Sequence, residues 1–323
     1  MDLTIGTFNL NNLFSRWNFQ AVVPRGTTLT QTLEFGPDAE ARLRTFKGRV
    51  VTAKDRDDTE TIATRILDMD VDVLAVQEVE NIEALRTFNR ESLNDLYPNV
   101  IVIEGNDPRL IDVGLLSKFP VGQVVSHQTA PDPDDEARRI FGRDLLRADI
   151  LTPTRSRRLL SLFNTHMKSN FVDRIDHPTP EMQAAQRVRN TERRQRQSIV
   201  TKEIIEAETR PNSRYVLLGD MNDDPDSDFL APVLDSNLGL VDALADVSET
   251  RESKTESLGP QPGPRWTSRH KESGQPPTHR LFDQIWVSPS LERRLGDSFI
   301  DRRTKHGGDG SDHDPAWVAL TGL

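Results

Sequence analysis

The sequence predicts a β-sandwich flanked by helices, folded as one domain over residues 1–323. Three features lead there. Apolar stretches of strand length recur along the chain, mostly in meander order. Only a few segments carry helical spacing. No linker divides two independent cores, and no repeat is visible at a period of about 20 to 50 residues.

In order along the chain, Thr4 to Leu10 alternates and ends polar, as a strand with one solvated tip does. Residues 15–58 are irregular, with Pro24, Gly26, Gly36, Pro37 and Gly48, and read as an insertion. Ile62, Ile66 and Met69 then recur at helical spacing, with Thr59 as the expected N-cap. "VDVLAVQEV" is a buried strand, and a short helix follows near Ile82 to Leu96. "YPNVIVIEG" and "IDVGLLSKFPV" read as strands around a turn at Asp107 and Pro108. "LLRADILTP" and "RRLLSLFNTHMKS" form an expected hairpin. A long polar helix covers Pro180 to Thr209, and its arginines are read as a solvated face with pairs such as Glu192 with Arg196. "RYVLLGDMN" is the next strand. The Ser-, Gly- and Pro-rich stretch 248–280 is expected to be a mobile loop. "LFDQIWVSP" and "PAWVALTGL" close the fold.

Composition narrows the function. The net charge of −10 argues against a protein that grips nucleic acid non-specifically by phosphate neutralisation. It leaves room for an enzyme that meets phosphates through a cation and a local basic patch. Cys is absent, so thiolate metal sites and disulfides are excluded. No apolar run reaches the roughly 18 residues of a membrane span. A cytoplasmic monomer is the expectation; a removed secretory leader would leave the same sequence.

Several apolar strands end in polar tips. Asn9 and Asn11 follow the first strand, Gln77 and Glu78 the second, Asn164, His166 and Lys168 the hairpin, and Asp220 and Asn222 the strand "YVLLG". Asp283 opens a late strand, and Asp312 and His313 precede the last. Residues at i and i+2 share a strand face, so each set can point one way. Taken singly, each tip is ordinary turn chemistry or a solvated strand end. Their number and order favour convergence at one end of the sandwich. Carboxylates and amides without Cys suit a hard cation, Mg²⁺ or else Mn²⁺ or Ca²⁺. Two histidines beside them suit proton transfer near neutral pH. Together they indicate metal-assisted hydrolysis of a phosphate ester. In "LLGDMNDDP", Asp220 and Asn222 are expected at the site, while Asp223 and Asp224 satisfy the turn.

This ordered set, "TFNLNNLF", "LAVQEVEN", "FNTHMKS", "LLGDMNDDP", "FDQIWVS" and "SDHDPAW", resembles the endonuclease/exonuclease/phosphatase superfamily. That superfamily includes deoxyribonuclease I-like nucleases, apurinic endonucleases, neutral sphingomyelinases and inositol polyphosphate 5-phosphatases. The wording is closest to bacterial nuclease-type members. The resemblance implies a four-layer α/β sandwich, with two packed mixed sheets between helices. It implies a metal at Glu78 with Asn9 and Asp312, and a water-activating His313 held by Asp283. Asp220 and Asn222 would orient the nucleophile or the phosphate. His166 would pair with Asp112, and Arg143 would lie near the phosphate. Asn11 and Lys168 are expected as substrate or supporting contacts. The implied substrate is nucleic acid or a small phosphoester. The alternatives are an inositol-phosphate or sphingomyelin-type hydrolase, and a non-catalytic binding protein on the same fold.

Overall fold

Two packed β-sheets carry helices on their outer faces, giving the four-layer arrangement. The computed structural model describes residues 1–14, 17–19, 43–44, 50–51, 53–172, 177–249, 263–271 and 273–323. Most of the expected insertion at 15–58 therefore lies outside the described residues, as does 250–262 within the expected loop. No helix among the described residues is long and apolar enough to cross a membrane.

The first sheet has seven strands, in the order Ser248–Glu249, Leu295–Ile300, Ala316–Leu320, Leu3–Leu13, Val73–Val79, Asp112–Ser117 and Asn99–Val102. The second has six: Val241–Asp242, Asp283–Val287, Tyr215–Asp220, Arg158–His166, Leu145–Leu151 and Val121–Ser126. Both are mixed. Leu3–Leu13 runs parallel to Val73–Val79, and Arg158–His166 runs parallel to Tyr215–Asp220. Alternation sorts their side chains. Ile5, Val73, Ala75, Leu162, Val216 and Leu218 fill the layer between the sheets. Phe8, Leu74 and Val76 turn outward under helices α1 (Arg56–Met69) and α2 (Ile82–Ser92). Phe163, Tyr215 and Leu217 turn outward under α3 (Pro180–Glu208).

Toward one end of the sandwich the inner layer becomes polar. Gln77 Nε2 donates to Asn164 Oδ1 at 2.8 Å and to Thr7 Oγ1 at 3.1 Å. Asn164 Nδ2 donates to the carbonyls of Gly114 and Val76 on the opposite sheet. All three side chains are fully buried. They form a hydrogen-bonded floor beneath the strand tips, and Asn164 belongs to that floor.

Local expectations are corrected in several places. Helix α1 is capped four residues earlier than expected, by Asp55 and not Thr59, with Asp55 accepting from Asp57 N. The expected loop at 248–280 contains a hairpin, Ser268–His270 with Thr278–Arg280. Arg187 and Arg189 of α3 are exposed as expected, but Arg193, Arg194 and Arg196 are not part of a solvated face. Arg194 is buried and forks onto Asp223 at 2.7 and 3.1 Å. Arg196 pairs with Asp132 at 2.8 Å, and Arg193 donates to the carbonyls of Arg139 and Ile140. The helix therefore ties down the loops that flank the polar end.

A second charged cluster lies behind the last strand. Arg65 pairs with Asp301 at 2.7 Å and Asp314 at 3.3 Å. Arg302 and Arg303 pair with Asp314 at 2.9 and 3.1 Å. Arg302 also stacks 3.7 Å from the centre of the Trp266 ring, so Trp266 is a core residue under this knot.

Candidate active site

Strand pairing places the central residues side by side. His166 is in register with Asp220, and Asp220 with Asp283. The close approach at this rung needs glycine. Gly219 has φ +131°, and a Cβ there would come within 2.0 Å of the Thr165 carbonyl oxygen.

Asp220 is the hub. Its Oδ2 accepts from Asn9 Nδ2 at 2.9 Å and lies 3.3 Å from His166 Nε2 and 3.9 Å from His313 Nε2. Its Oδ1 accepts from Asn222 N at 2.9 Å. His313 Nδ1 is 2.6 Å from Asp283 Oδ2, which fixes the ring and leaves Nε2 facing Asp220. Glu78 Oε1 lies 4.0 Å from His166 Nε2, and Oε2 accepts from Asn12 N at 3.1 Å. Asn9, Glu78, His166, Asp220, Asn222, Asp283 and His313 thus join one connected cluster. Asp312 is exposed beside it.

Simple alternation does not deliver every member. It would send Glu78 outward with Leu74 and Val76. Instead the pairing shifts between Gln77 and Val79, and Glu78 takes φ 60°, which re-aims the carboxylate into the cleft. Asn222 lies beyond its strand at φ 54°, with Nδ2 bonded to the Met167 carbonyl. Asn11 has φ 47°, so it does not share the face of Asn9; its own carbonyl receives Lys54 Nζ at 2.8 Å.

The two histidines are driven apart electrostatically. His166 is pushed well below the usual imidazole range by burial and by Arg143, Arg109, His313 and Lys168. Burial opposes charge on His313 as well, yet Asp283 and Asp220 hold it well above that range. Burial lifts Asp220 to about 7, against the pull of His313.

Arg143 is buried and pairs with Asp107 at 2.8 Å, with one guanidinium nitrogen reaching the Met167 carbonyl. Arg109 also pairs with Asp107, at 3.4 Å. Burial, then Arg143 and Arg109, lower Lys168 to about 8. These cations border the His166 side of the cluster. Asp112 departs from expectation. It does not pair with His166, whose Nδ1 has no hydrogen-bond partner. Asp112 Oδ1 instead accepts from Gly105 N at 2.7 Å, because Asp112 opens its strand opposite Val79 and folds back onto the preceding turn.

Lys54 escapes sequence reading, and Thr267 is legible there only as a neighbour of Trp266 flanking the site loop. Lys54 lies in the field of Asp312 and Glu78, although burial lowers its affinity for a proton. Thr267 is fully buried, and its Oγ1 accepts from Asp283 N at 3.0 Å and Phe282 N at 3.2 Å. Its carbonyl accepts from Asp314 N, so one threonine clamps both segments of the His313–Asp283 pair. Neither carries a motif; their positions emerge only from the fold. Asp223 and Asp224 are held structurally, by Arg194 and by Arg280 with Leu281 N.

Among the described residues, no three His, Asp or Glu side chains form a ready-made metal cage. A cavity of about 690 Å³ lies between α1 and α2 and contains none of the clustered residues. The clustered residues lie at strand tips contributed by both sheets.

Solved structures with this architecture span almost the whole chain. An endonuclease/exonuclease/phosphatase from Bacteroides vulgatus shares 15% identity, with 99% of this chain and 98% of that chain covered and a TM-score of 0.60. An AP endonuclease from Archaeoglobus fulgidus shares 17%, covering 99% and 100%, with a TM-score of 0.55. A mannosyl-6-phosphatase from Bacteroides thetaiotaomicron shares 16%, covering 98% of both, with a TM-score of 0.54. No curated protein matches. The profile of the Endonuclease/Exonuclease/phosphatase family matches residues 6–313, and with that span the chain belongs to this family of phosphoric ester hydrolases.

Proposed function

We propose that the protein is a divalent-cation-dependent phosphodiesterase acting on nucleic acid. The carrying observation is Asp220 Oδ2, shared among Asn9, His166 and His313. Glu78, Asp220, Asp283 and Asp312 bring oxygen donors to the same strand tips. That donor set fits Mg²⁺, which keeps several waters and takes one or two carboxylates rather than a full protein cage. Glu78 and Asp312 are the residues to hold it, with Asn9 alongside. When bound, the cation offsets charge on a phosphate oxygen as the pentacovalent state forms.

The chain's own residues supply the rest. His313, held by Asp283, accepts a proton from the attacking water at Nε2. Asp220 and Asn222 orient the reacting groups. His166 stands on the side of Arg143 and Lys168, where the phosphate and leaving group are received. These basic groups give a net-acidic chain a local patch for an anionic backbone.

A base is active once deprotonated. Because His313 is held above the usual imidazole range, kcat/KM should rise with pH through a limb alkaline of 6.5. Asp283→Asn should move that limb toward acid and lower the rate. The test is a panel of single- and double-stranded DNA, RNA, bis-p-nitrophenyl phosphate, inositol phosphates and sphingomyelin with Mg²⁺, Mn²⁺ or Ca²⁺, and with EDTA. Cleavage of nucleic acid that is lost with EDTA and in His313→Ala supports the reading. Turnover confined to inositol phosphates or sphingomyelin, or none at all, would refute it.

A further inference from the structure

At the end of the sandwich remote from the catalytic cluster, four arginines gather without an acid among them. A cavity of about 320 Å³ is lined by Arg157, Arg158, Arg210 and Arg214, with Asn212 beside them. Arg158 opens the strand that ends at His166, and Arg214 immediately precedes the strand that ends at Asp220. Arg158 therefore lies eight strand steps, about 26 Å, from His166, and Arg214 six steps, about 20 Å, from Asp220, at ~3.3 Å each. Arg158 pairs with Asp149 at 3.3 Å. Among the described residues, the side chains of Arg157, Arg210 and Arg214 have no ion pair or hydrogen bond.

We propose that this cavity is an exosite for the phosphodiester backbone of a nucleic acid strand whose reactive phosphate occupies the catalytic cleft. The identification of the strand as substrate rests on the nuclease reading above. The cavity itself rests on its own chemistry. Guanidinium forks match phosphate oxygens, and three of them here have no protein partner to give up. Crowding like charges is unfavourable, and the half-buried Arg214 feels both Arg294 and Arg157. A polyanion relieves that repulsion. The chain's net charge of −10 repels nucleic acid elsewhere, so a local reversal of sign selects where a strand can settle. A lipid surface fits less well. Leu159, the apolar lining residue, is 1% exposed, so the wall offers charge and hydrogen bonds without an apolar wedge.

The separation sets a length requirement. About 26 Å corresponds to roughly 8 nucleotides at the ~3.4 Å spacing of phosphates along one helical strand, and because the direct line runs through the packed sandwich that number is a minimum. A strand of about 4 nucleotides engages one site at a time, whereas one of about 30 engages both.

The experiment compares the full chain with the R157Q/R210Q/R214Q variant. Fluorescence anisotropy, in EDTA so that no cleavage occurs, measures binding of labelled single strands of about 4 and about 30 nucleotides across a salt series. The long strand should bind the variant about tenfold or more weakly, and the slope of log K against log salt should shrink by about 2, near ~0.7 per lost phosphate contact. The short strand, which gains nothing from spanning two sites, should lose less affinity than the long one, and melting temperature and hydrolysis of bis-p-nitrophenyl phosphate should be unchanged. Equal affinity and slope in both proteins overturn the exosite, as does a wild-type protein that binds no strand. Binding to phosphatidylserine vesicles in place of the strand overturns it in favour of a membrane surface. A wild-type protein that binds the long strand through these arginines but cleaves no nucleic acid leaves the exosite standing and removes the nuclease reading.

Discussion

Asp312, His313 and Asp314 are consecutive, yet they serve two unlike charged clusters. Asp314 belongs to the knot, where Arg65, Arg302 and Arg303 surround two aspartates and most polar atoms have partners. Asp312 and His313 belong to the cleft. There, among the described residues, Asp283 Oδ1 and His166 Nδ1 are buried without a hydrogen bond. Density of charge is therefore not what marks a site. In the knot each arginine has an ion-pair partner inside the protein, although Arg303 Nη1 has no hydrogen bond among the described residues. The cleft is left open electrically, and a cation and a phosphate can complete it.

The contrast is broken most forcefully at Asp314. Asp314→Asn should strand two buried guanidiniums and cost about 3–5 kcal/mol in urea unfolding, the scale of breaking a buried ion pair. A variant as stable as wild type would remove the distinction between knot and cleft. Asp220→Asn should do the reverse. Turnover should fall by a factor on the order of 10² or more, as when a positioned catalytic group is lost. Its melting temperature should hold or rise, because burial disfavours the charge that is removed. Near-normal turnover would mean that Asp220 is only a scaffold.

Thr267 joins the two regions, and its replacement sharpens the boundary. Thr267→Val keeps the shape but removes the acceptor for Asp283 N. About a tenfold loss in kcat is expected, with the alkaline limb moving toward acid, and Thr267→Ser should restore both. A loss of stability alone, with an unmoved pH profile, would confine Thr267 to the knot. The smallest effect is expected at Asp112, a buried acid raised to about 7 by burial and by Glu104, Asp107 and Asp144, against the Gly105 N–H. Its folded form keeps a proton that the unfolded chain releases near 3.8, so its contribution to stability fades as pH rises from about 4 to about 7. Asp112→Asn should melt like wild type at acid pH and a few degrees higher above neutrality. Parallel melting curves across that window would show Asp112 to be solvated.

The fold was largely legible because strands buried on both faces leave long apolar runs, as in "VDVLAV" and "YVLLG". The cluster was legible where a motif ends a strand: His166, Asp220, Asp283 and His313 are in place by register. Alternation failed where the backbone turns left-handed, at Asn11, Glu78 and Asn222, since a period of two holds only while the strand continues. Arg194 and Arg196 of α3 depart from the expected solvated face because i,i+4 spacing describes an isolated helix, whereas Asp132 and Asp223 arrive from distant loops. The clamp made by Thr267 and the knot are illegible for the same reason. Their partners are remote in sequence, and no local pattern records them.

The hydrogen-bonded floor of Thr7, Gln77 and Asn164 has a mechanical consequence. Asn9 and Glu78 come from one sheet, and His166, Asp220 and Asp283 from the other, so the cleft is assembled from two separate plates. An interdigitated apolar layer resists displacement by shape alone, whereas a hydrogen bond also fixes direction. The Gln77–Asn164 bond and the two carbonyls gripped by Asn164 act as a dowel between the plates, directly beneath the clustered residues. Removing it, as in Asn164→Leu, would leave Asn9 and Glu78 aligned with His166 and Asp220 by packing alone.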